Sequence, residues 1–173
     1  MLRQKERTIS MNKLNDFDEL FSFLMNLYLL YFCLIINLKI QKMDAQIKHY
    51  EQKLAFEMDP SDLFDALNNG EKVIALDARE AFGFDAEHIP TAINIPHREM
   101  NVETTNHLNK DFVYVTYCDG IGCNASTKGA LNMARLGFKV KELIGGIEWW
   151  KFDGYATEGT KASQSGAKIQ CAC

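Results

Sequence analysis

The residues of this chain best suited to chemistry are two cysteines of one loop, Cys118 and Cys123, in the stretch Tyr117-Cys118-Asp119-Gly120-Ile121-Gly122-Cys123-Asn124-Ala125-Ser126. Cysteine reacts through its thiolate, so whatever favours the anion decides whether such a residue is a nucleophile. The backbone N–H groups of a glycine-containing loop can turn toward a sulfur, and a helix N-terminus behind the loop adds partial positive charge. Each unit by which a thiol pKa falls is worth about 1.4 kcal/mol of preference for the anion. Cys118 is the candidate nucleophile, and Asp119, Gly120, Ile121, Gly122, Cys123, Asn124, Ala125 and Ser126 are its candidate substrate-binding loop. Asp119 works the other way, setting a negative charge beside the sulfur. No Lys or Arg lies between Asp119 and Thr127, and the first cation, Lys128, falls inside the following helix.

Cys123 offers a second chemistry. Five residues from Cys118, it can resolve a persulfide or sulfenic acid into a disulfide and make the loop a thiol switch. As a small buried residue it can equally serve only to pack beneath the loop. Near the end of the sequence, Cys171-Ala172-Cys173 can relay sulfur, form a strained disulfide or hold a soft metal, or lie idle; two ligands do not make a closed zinc site, which takes four. The reading therefore includes no metal and no cofactor. With Cys33 the cysteines number five, an odd set without the framework of a small secreted domain, which indicates a reducing, cytoplasmic compartment.

The element that must deliver Cys118 is a strand, read from the β-branched and aromatic run Phe112 to Tyr117. Ala125 to Leu136 behind it reads as a helix with Ala130, Met133 and Ala134 on one side, ended by Gly137. Upstream, Asp59-Pro60 starts a short helix to about residue 68, closed by Asn68-Asn69-Gly70. Val73 to Leu76 is an apolar run of the kind buried in a parallel sheet. Asp77 and Arg79 follow its carboxyl end as supporting residues, suited to holding the site's walls or to binding a ligand. His88 beside Pro90 reads as a structural hydrogen-bonder, and His97 and Arg98 as surface residues within reach of the cysteine loop. Ala92 to Ile95 is a short strand, Val102 to Leu108 a short helix, Phe138 to Ile144 a strand, and Ile147 to Lys151 a last helical turn. Strands alternating with helices point to a parallel α/β sheet whose ligands bind beyond the strands' carboxyl ends, where Asp77 and Cys118 both fall.

With 173 residues, 47% of them hydrophobic, the chain has material for one domain and an appendage. A net charge of −4 without a Lys/Arg cluster gives no track for nucleic acid. Residues 1 to 42 contain no Gly, Ala, Val, Pro, Trp or His, and Leu20 to Leu38 is an uncharged run of 19 residues. As a helix this run is about 28 Å long, near the ~30 Å of a bilayer core, so it suits a single-pass anchor with the domain on the cytoplasmic side. The missing residue types are those of GC-rich codons, so a leader read from too early a start, with Met43 as the initiator, accounts for the composition equally well. Residues 43–57 form a weakly helical lead-in. Residues 156–173, rich in Gly, Ser, Thr, Ala, Gln and Lys, read as a mobile tail.

Four pieces in order resemble the rhodanese family of single-domain sulfurtransferases: Asp77-Ala78-Arg79 after a buried strand, His88-Ile89-Pro90 before Ala92-Ile93-Asn94-Ile95-Pro96, Tyr117-Cys118 opening a loop, and Gly145-Gly146 ahead of Trp150. The resemblance covers about residues 58–155. It implies a small parallel β-sheet flanked by helices, here with an N-terminal helical extension, and Cys118 as the carrier of a persulfide between a small sulfur donor, thiosulfate or a polysulfide, and a thiol acceptor. Glu87 and Thr91 stand where the family usually has Gly. The cysteine loop is about two residues longer than usual and lacks the common Arg or Lys. A longer loop also marks the phosphatases and arsenate reductases of this fold, whose bidentate Arg grips an oxyanion; without it, hydrolysis of a dianion is disfavoured here. Sulfur transfer, a Cys118/Cys123 redox or persulfide sensor, and a non-catalytic interaction module are the three functions left open.

Overall fold

The computed structural model of the chain describes residues 2–164, with side chains at 17 and from 19 onward. The chain divides into two compact units, one ending at Glu51 and the other beginning at Gln52. A helix, α1 (Leu2–Phe56), accounts for all of the described first unit. Its run from Leu20 to Leu38 is exposed on every side but for the half-buried Ile35, and the segment from Glu19 is long and apolar enough to cross a membrane. A helix apolar all round suits lipid or a protein core rather than water.

The second unit is built on a five-stranded sheet in the order β1-β5-β4-β2-β3, parallel throughout. Its strands are β1 (Glu57–Met58), β2 (Val73–Asp77), β3 (Ile93–Asn94), β4 (Val113–Tyr117) and β5 (Lys139–Leu143). The twofold alternation of a strand sends neighbours to opposite faces. In β4, Val115 and Tyr117 enter one core with Leu63, Leu143, Ile147 and Trp150, while Tyr114 enters the other with Leu76, Met133 and Phe138. Both faces are covered by helices, which is why the central strands are apolar without a polar side. The helices are α2 (Pro60–Asn68), α3 (Ala81–Ala86), α4 (Val102–Thr105), α5 (Ala125–Arg135) and α6 (Gly146–Phe152). Asp59 caps α2, its carboxylate accepting from the Asp62 amide at 2.8 Å, with Pro60 in the first turn.

The expected strands and helices are present in order; α3 is not among those expected, and three further readings change. The buried stripe of α5 is Ser126, Gly129 and Met133, whereas Ala134 is exposed. The lack of a side chain at Gly129 lets the helix press on Ala78 and Met100, and that contact sets the rotation. The lead-in has two fates: helix through Phe56, then β1 paired to β5. The segment from Ala156 to Ser163, expected as part of a mobile tail, is tied down. The carbonyl of Ala156 accepts from the Trp150 indole, Glu158 bridges His88 through the backbone in both directions, and the Thr157 and Ser163 hydroxyls donate to Glu87. Short polar side chains with nearby backbone partners can anchor a segment as effectively as apolar ones, which composition does not reveal.

Candidate active site

The parallel register Asp77↔Tyr117 brings the ends of β2 and β4 level, so Asp77, Arg79 and Cys118 stand at one edge of the sheet. Cys118 follows β4 directly and is 1% exposed. Its carbonyl accepts from the Ile147 amide at 3.0 Å, and that of Asp119 from Glu148 at 2.9 Å, so the first turn of α6 clamps the loop's entry. The approach is close enough that a Cβ on Gly146, whose φ is +60°, would collide with the Cys118 carbonyl. Beyond Asp119 the loop turns outward: Ile121 is exposed, a turn joins the Cys123 amide to the Gly120 carbonyl, and Asn124 leads into α5 without a side-chain capping bond.

The sulfur's surroundings differ from a ring of loop amides. Sγ lies 3.0 Å from the Cys123 carbonyl, 3.8 Å from that of Gly120 and 3.3 Å from Ser126 Oγ. Carbonyls accept an S–H bond and repel an anion, so this is a resting thiol. Burial pushes its pKa above the ordinary value; the Ser126 amide, and its hydroxyl when that donates to sulfur, pull it down, and the adjoining Cys123 sulfur pushes it up again. The Cys123 amide is turned away into the bond with the Gly120 carbonyl, which leaves the Cys123 carbonyl facing the sulfur. Cys118 and Cys123 are both free thiols.

Arg79 supplies the cation that the loop lacks. Its guanidinium bonds Asp77 at 2.6 Å, Asp119 at 2.9 Å and the Glu87 carbonyl at 2.6 Å, and lies over the Tyr117 ring. Burial disfavours its charge, but the hydrogen bonds and charge of Asp77, joined by Asp119, more than offset this and hold it protonated. Asp119 thus points its carboxylate to Arg79, which moderates the opposition to thiolate formation expected of it. Asp77 and Arg79 hold the walls, and His88 is structural, bonded to the Phe84 carbonyl at 2.7 Å and stacked on that ring. His97 bonds the Ala78 carbonyl and Arg98 faces Glu80, so neither is turned to the cysteine loop. Cys171 and Cys173 lie outside the described residues.

A cavity of about 300 Å³ opens beside the loop, lined by Gly120 to Asn124, Ser126, Thr127, Glu142 and the Gly145-Gly146 turn. Glu142 at the end of β5 is the polar residue that sequence reading missed. It accepts from Ser126 Oγ at 2.7 Å and Thr127 Oγ1 at 2.8 Å. Its place at the carboxyl end of a parallel strand was the available signal. Among the described residues no group of three or more His, Cys, Asp or Glu is placed to hold a metal ion.

This arrangement, a cysteine at the end of the central strand of a parallel sheet with its loop clamped by the next helix, matches the rhodanese-like domain model over residues 59–153. The chain belongs to the rhodanese-like domain family. It is similar to the BH2092 protein of Bacillus halodurans, with 45% identity and a TM-score of 0.66 over 69% of this chain and 88% of that one. A rhodanese-related protein of Thermoplasma volcanium is 27% identical, with a TM-score of 0.52 over 60% of this chain and 97% of its own. A thiosulfate sulfurtransferase of Pseudomonas aeruginosa shares the fold at 18% identity, with a TM-score of 0.55 over 69% of this chain and 23% of the enzyme. No curated protein matches the sequence.

Proposed function

We propose that the domain is a sulfurtransferase carrying a persulfide on Cys118. The observation that supports this reading is the placement of a free cysteine at the carboxyl end of β4, inside the loop before α5, in a rhodanese-like domain. The Cys118 thiolate attacks the outer sulfur of a sulfane donor. A new S–S bond forms, the donor's S–S bond breaks, and the leaving group departs with the electron pair. An acceptor thiolate then attacks the outer sulfur and restores Cys118, giving covalent catalysis in two displacements with ping-pong kinetics. Because the resting sulfur faces carbonyls, the loop must shift before the first step. An organic polysulfide without negative charge is a better donor than thiosulfate, since the cations of the described ion pairs near the loop are taken: Lys53 is paired with Glu57, and Arg79 with Asp77 and Asp119. The acceptor is a thiol of a small molecule or a protein. The work belongs to a reducing compartment such as the cytoplasm, at a membrane surface if Leu20 to Leu38 inserts.

A second reading, a thiol switch, is favoured by the contact between the Cys118 and Cys123 sulfurs. One experiment separates the two. Treating the protein with polysulfide and weighing it should show a gain of one sulfur atom, lost in Cys118→Ser and retained in Cys123→Ser. A disulfide between the two cysteines in place of that adduct supports the switch, and no change with any donor rejects both and leaves a binding module.

A further inference from the structure

Ser126 stands between a thiol and a carboxylate. Its Oγ is 3.3 Å from Cys118 Sγ and 2.7 Å from Glu142 Oε1. A serine hydroxyl has one proton, and an ionised carboxylate can only accept. The proton therefore goes to Glu142, and the side of Oγ facing Cys118 offers a lone pair. A thiol can donate to that lone pair, as it can to the Cys123 carbonyl at 3.0 Å; a thiolate would face lone pairs on both, with the Ser126 amide as its donor. Thr127 donates to the same Glu142 oxygen at 2.8 Å and fixes the carboxylate in this position.

We propose that Ser126 is a two-position hydroxyl switch set by Glu142. While Glu142 is an unpaired anion it takes the Ser126 proton and keeps Cys118 a thiol; when Glu142 is neutralised the hydroxyl turns, donates to sulfur and stabilises the thiolate, the thiol proton passing to solvent. Glu142 is a positioning residue, not a catalytic one. The proposal deepens the sulfur-transfer reading and rests on it for its purpose.

The cavity suggests what does the neutralising. Among the described residues Lys53 is engaged with Glu57, Arg79 with Asp77 and Asp119, and Lys141 with the Leu54 and Glu57 carbonyls, while Lys128, exposed in the first turn of α5, forms no ion pair with Glu142. The other ionisable groups near the loop are Cys123, Glu148, which packs against Gly120, and Glu57, opposite Glu142 in the β1–β5 register. Among the described residues Glu142 has no ion-pair partner. The partner that fits is a sulfur compound bearing an ammonium or guanidinium group close to its reacting sulfur.

The test uses the full chain. Alkylation of Cys118 by iodoacetamide is followed against pH by peptide mass, in the natural protein and in Glu142→Gln, Ser126→Ala and the double variant. A neutral amide competes less well than a thiolate for the hydroxyl proton, so Glu142→Gln is expected to speed alkylation at pH 7 about tenfold and move its pH midpoint down by about one unit. With Ser126→Ala already present, Glu142→Gln should change neither. Equal acceleration with and without the serine hydroxyl would mean a plain charge effect and overturn the switch, as would no acceleration in Glu142→Gln; Glu142→Ala repeats the measurement if the amide disturbs folding. A second arm compares two symmetric disulfides, cystamine with its two ammonium groups and dithiodipropionate with two carboxylates. Cystamine should form the mixed disulfide at Cys118 at least tenfold faster, and equal rates in the natural protein would overturn the cationic partner. Neither arm uses a sulfane donor, so failure here is distinct from failure to form a persulfide.

Discussion

Arg79 holds the carboxylate of Asp119, the residue after Cys118, at 2.9 Å while clasping Asp77 at 2.6 Å, so one guanidinium ties the end of β2 to the first residue of the cysteine loop. The two carboxylates differ in burial. Asp77 is fully buried and the Asp119 side chain is 63% exposed, and this decides what each substitution does.

Arg79→Leu should destabilise the domain by about 3–5 kcal/mol in urea denaturation, because it leaves the Asp77 charge buried without a partner. Asp119→Asn breaks only the exposed half of the pair and should cost less than about 1 kcal/mol. Comparable losses in the two variants would show that Asp77 is not the carboxylate that depends on Arg79.

The buried Cys118 thiol should alkylate more slowly at pH 7 than a free cysteine, since its pKa is raised in the folded protein. An acid whose pKa is raised on folding is favoured by folding as the protonated form. That stability is present below the unfolded thiol's pKa and is lost as pH rises through the higher folded value. Thermal melts should therefore fall at alkaline pH, and Cys118→Ser, which cannot ionise, should fall less. Identical alkaline losses in both proteins would contradict the assignment.

Gly146→Ala tests the clamp on the loop. A side chain there meets the Cys118 carbonyl, at a φ of +60° that alanine rarely adopts. A loss of about 1–3 kcal/mol from backbone strain is expected, with added steric cost and faster alkylation of Cys118 as the loop loosens. Hydrogen exchange at Ile147 and Glu148, whose amides hold the loop carbonyls, reports the same event. Unchanged protection there would separate the glycine from the loop.

Glu87 anchors the chain after Ala156. Burial works against its charge, but hydrogen bonds from Lys151, Thr157 and Ser163 and the Lys151 charge hold its pKa below the ordinary carboxylate range. A carboxylate with a depressed folded pKa contributes stability above its unfolded pKa and loses it as pH falls through the folded value. Protection of the amides at Thr157 and Ser163 should thus decline as the pH falls below the ordinary carboxylate range, and Glu87→Gln should show that weaker protection already at neutral pH. Full protection of this segment in Glu87→Gln would shift its anchorage to the His88–Glu158 bridge.

Much of this domain could be read from one sequence because its main strands are apolar and its turns carry Pro and Gly. Val73 to Leu76 and Phe112 to Tyr117 must be buried on both faces, and a parallel sheet is the arrangement that does so. The two-residue strand β1 has no period to detect, and α3 is six residues with Gly83 inside, so tertiary contacts decide both. At the site, Cys118 and its loop were legible from residue type and position. The direction of the loop's carbonyls was not, because a peptide group can present either its N–H or its C=O to the same neighbour without any change of sequence. Asp119 illustrates the remaining gap: its charge is plain in the sequence, but its pairing with Arg79, 40 residues away, depends on the register of two strands.

Cys123 and Ser126 both touch the Cys118 sulfur and both border the cavity, while Cys118 itself is not part of its lining. Cargo loaded at position 118 would sit behind these two residues, out of reach of most bystander reductants. Under the proposed sulfur transfer, release would wait on the loop swinging aside, so the delivery rate would follow loop opening and not the reactivity of the recipient.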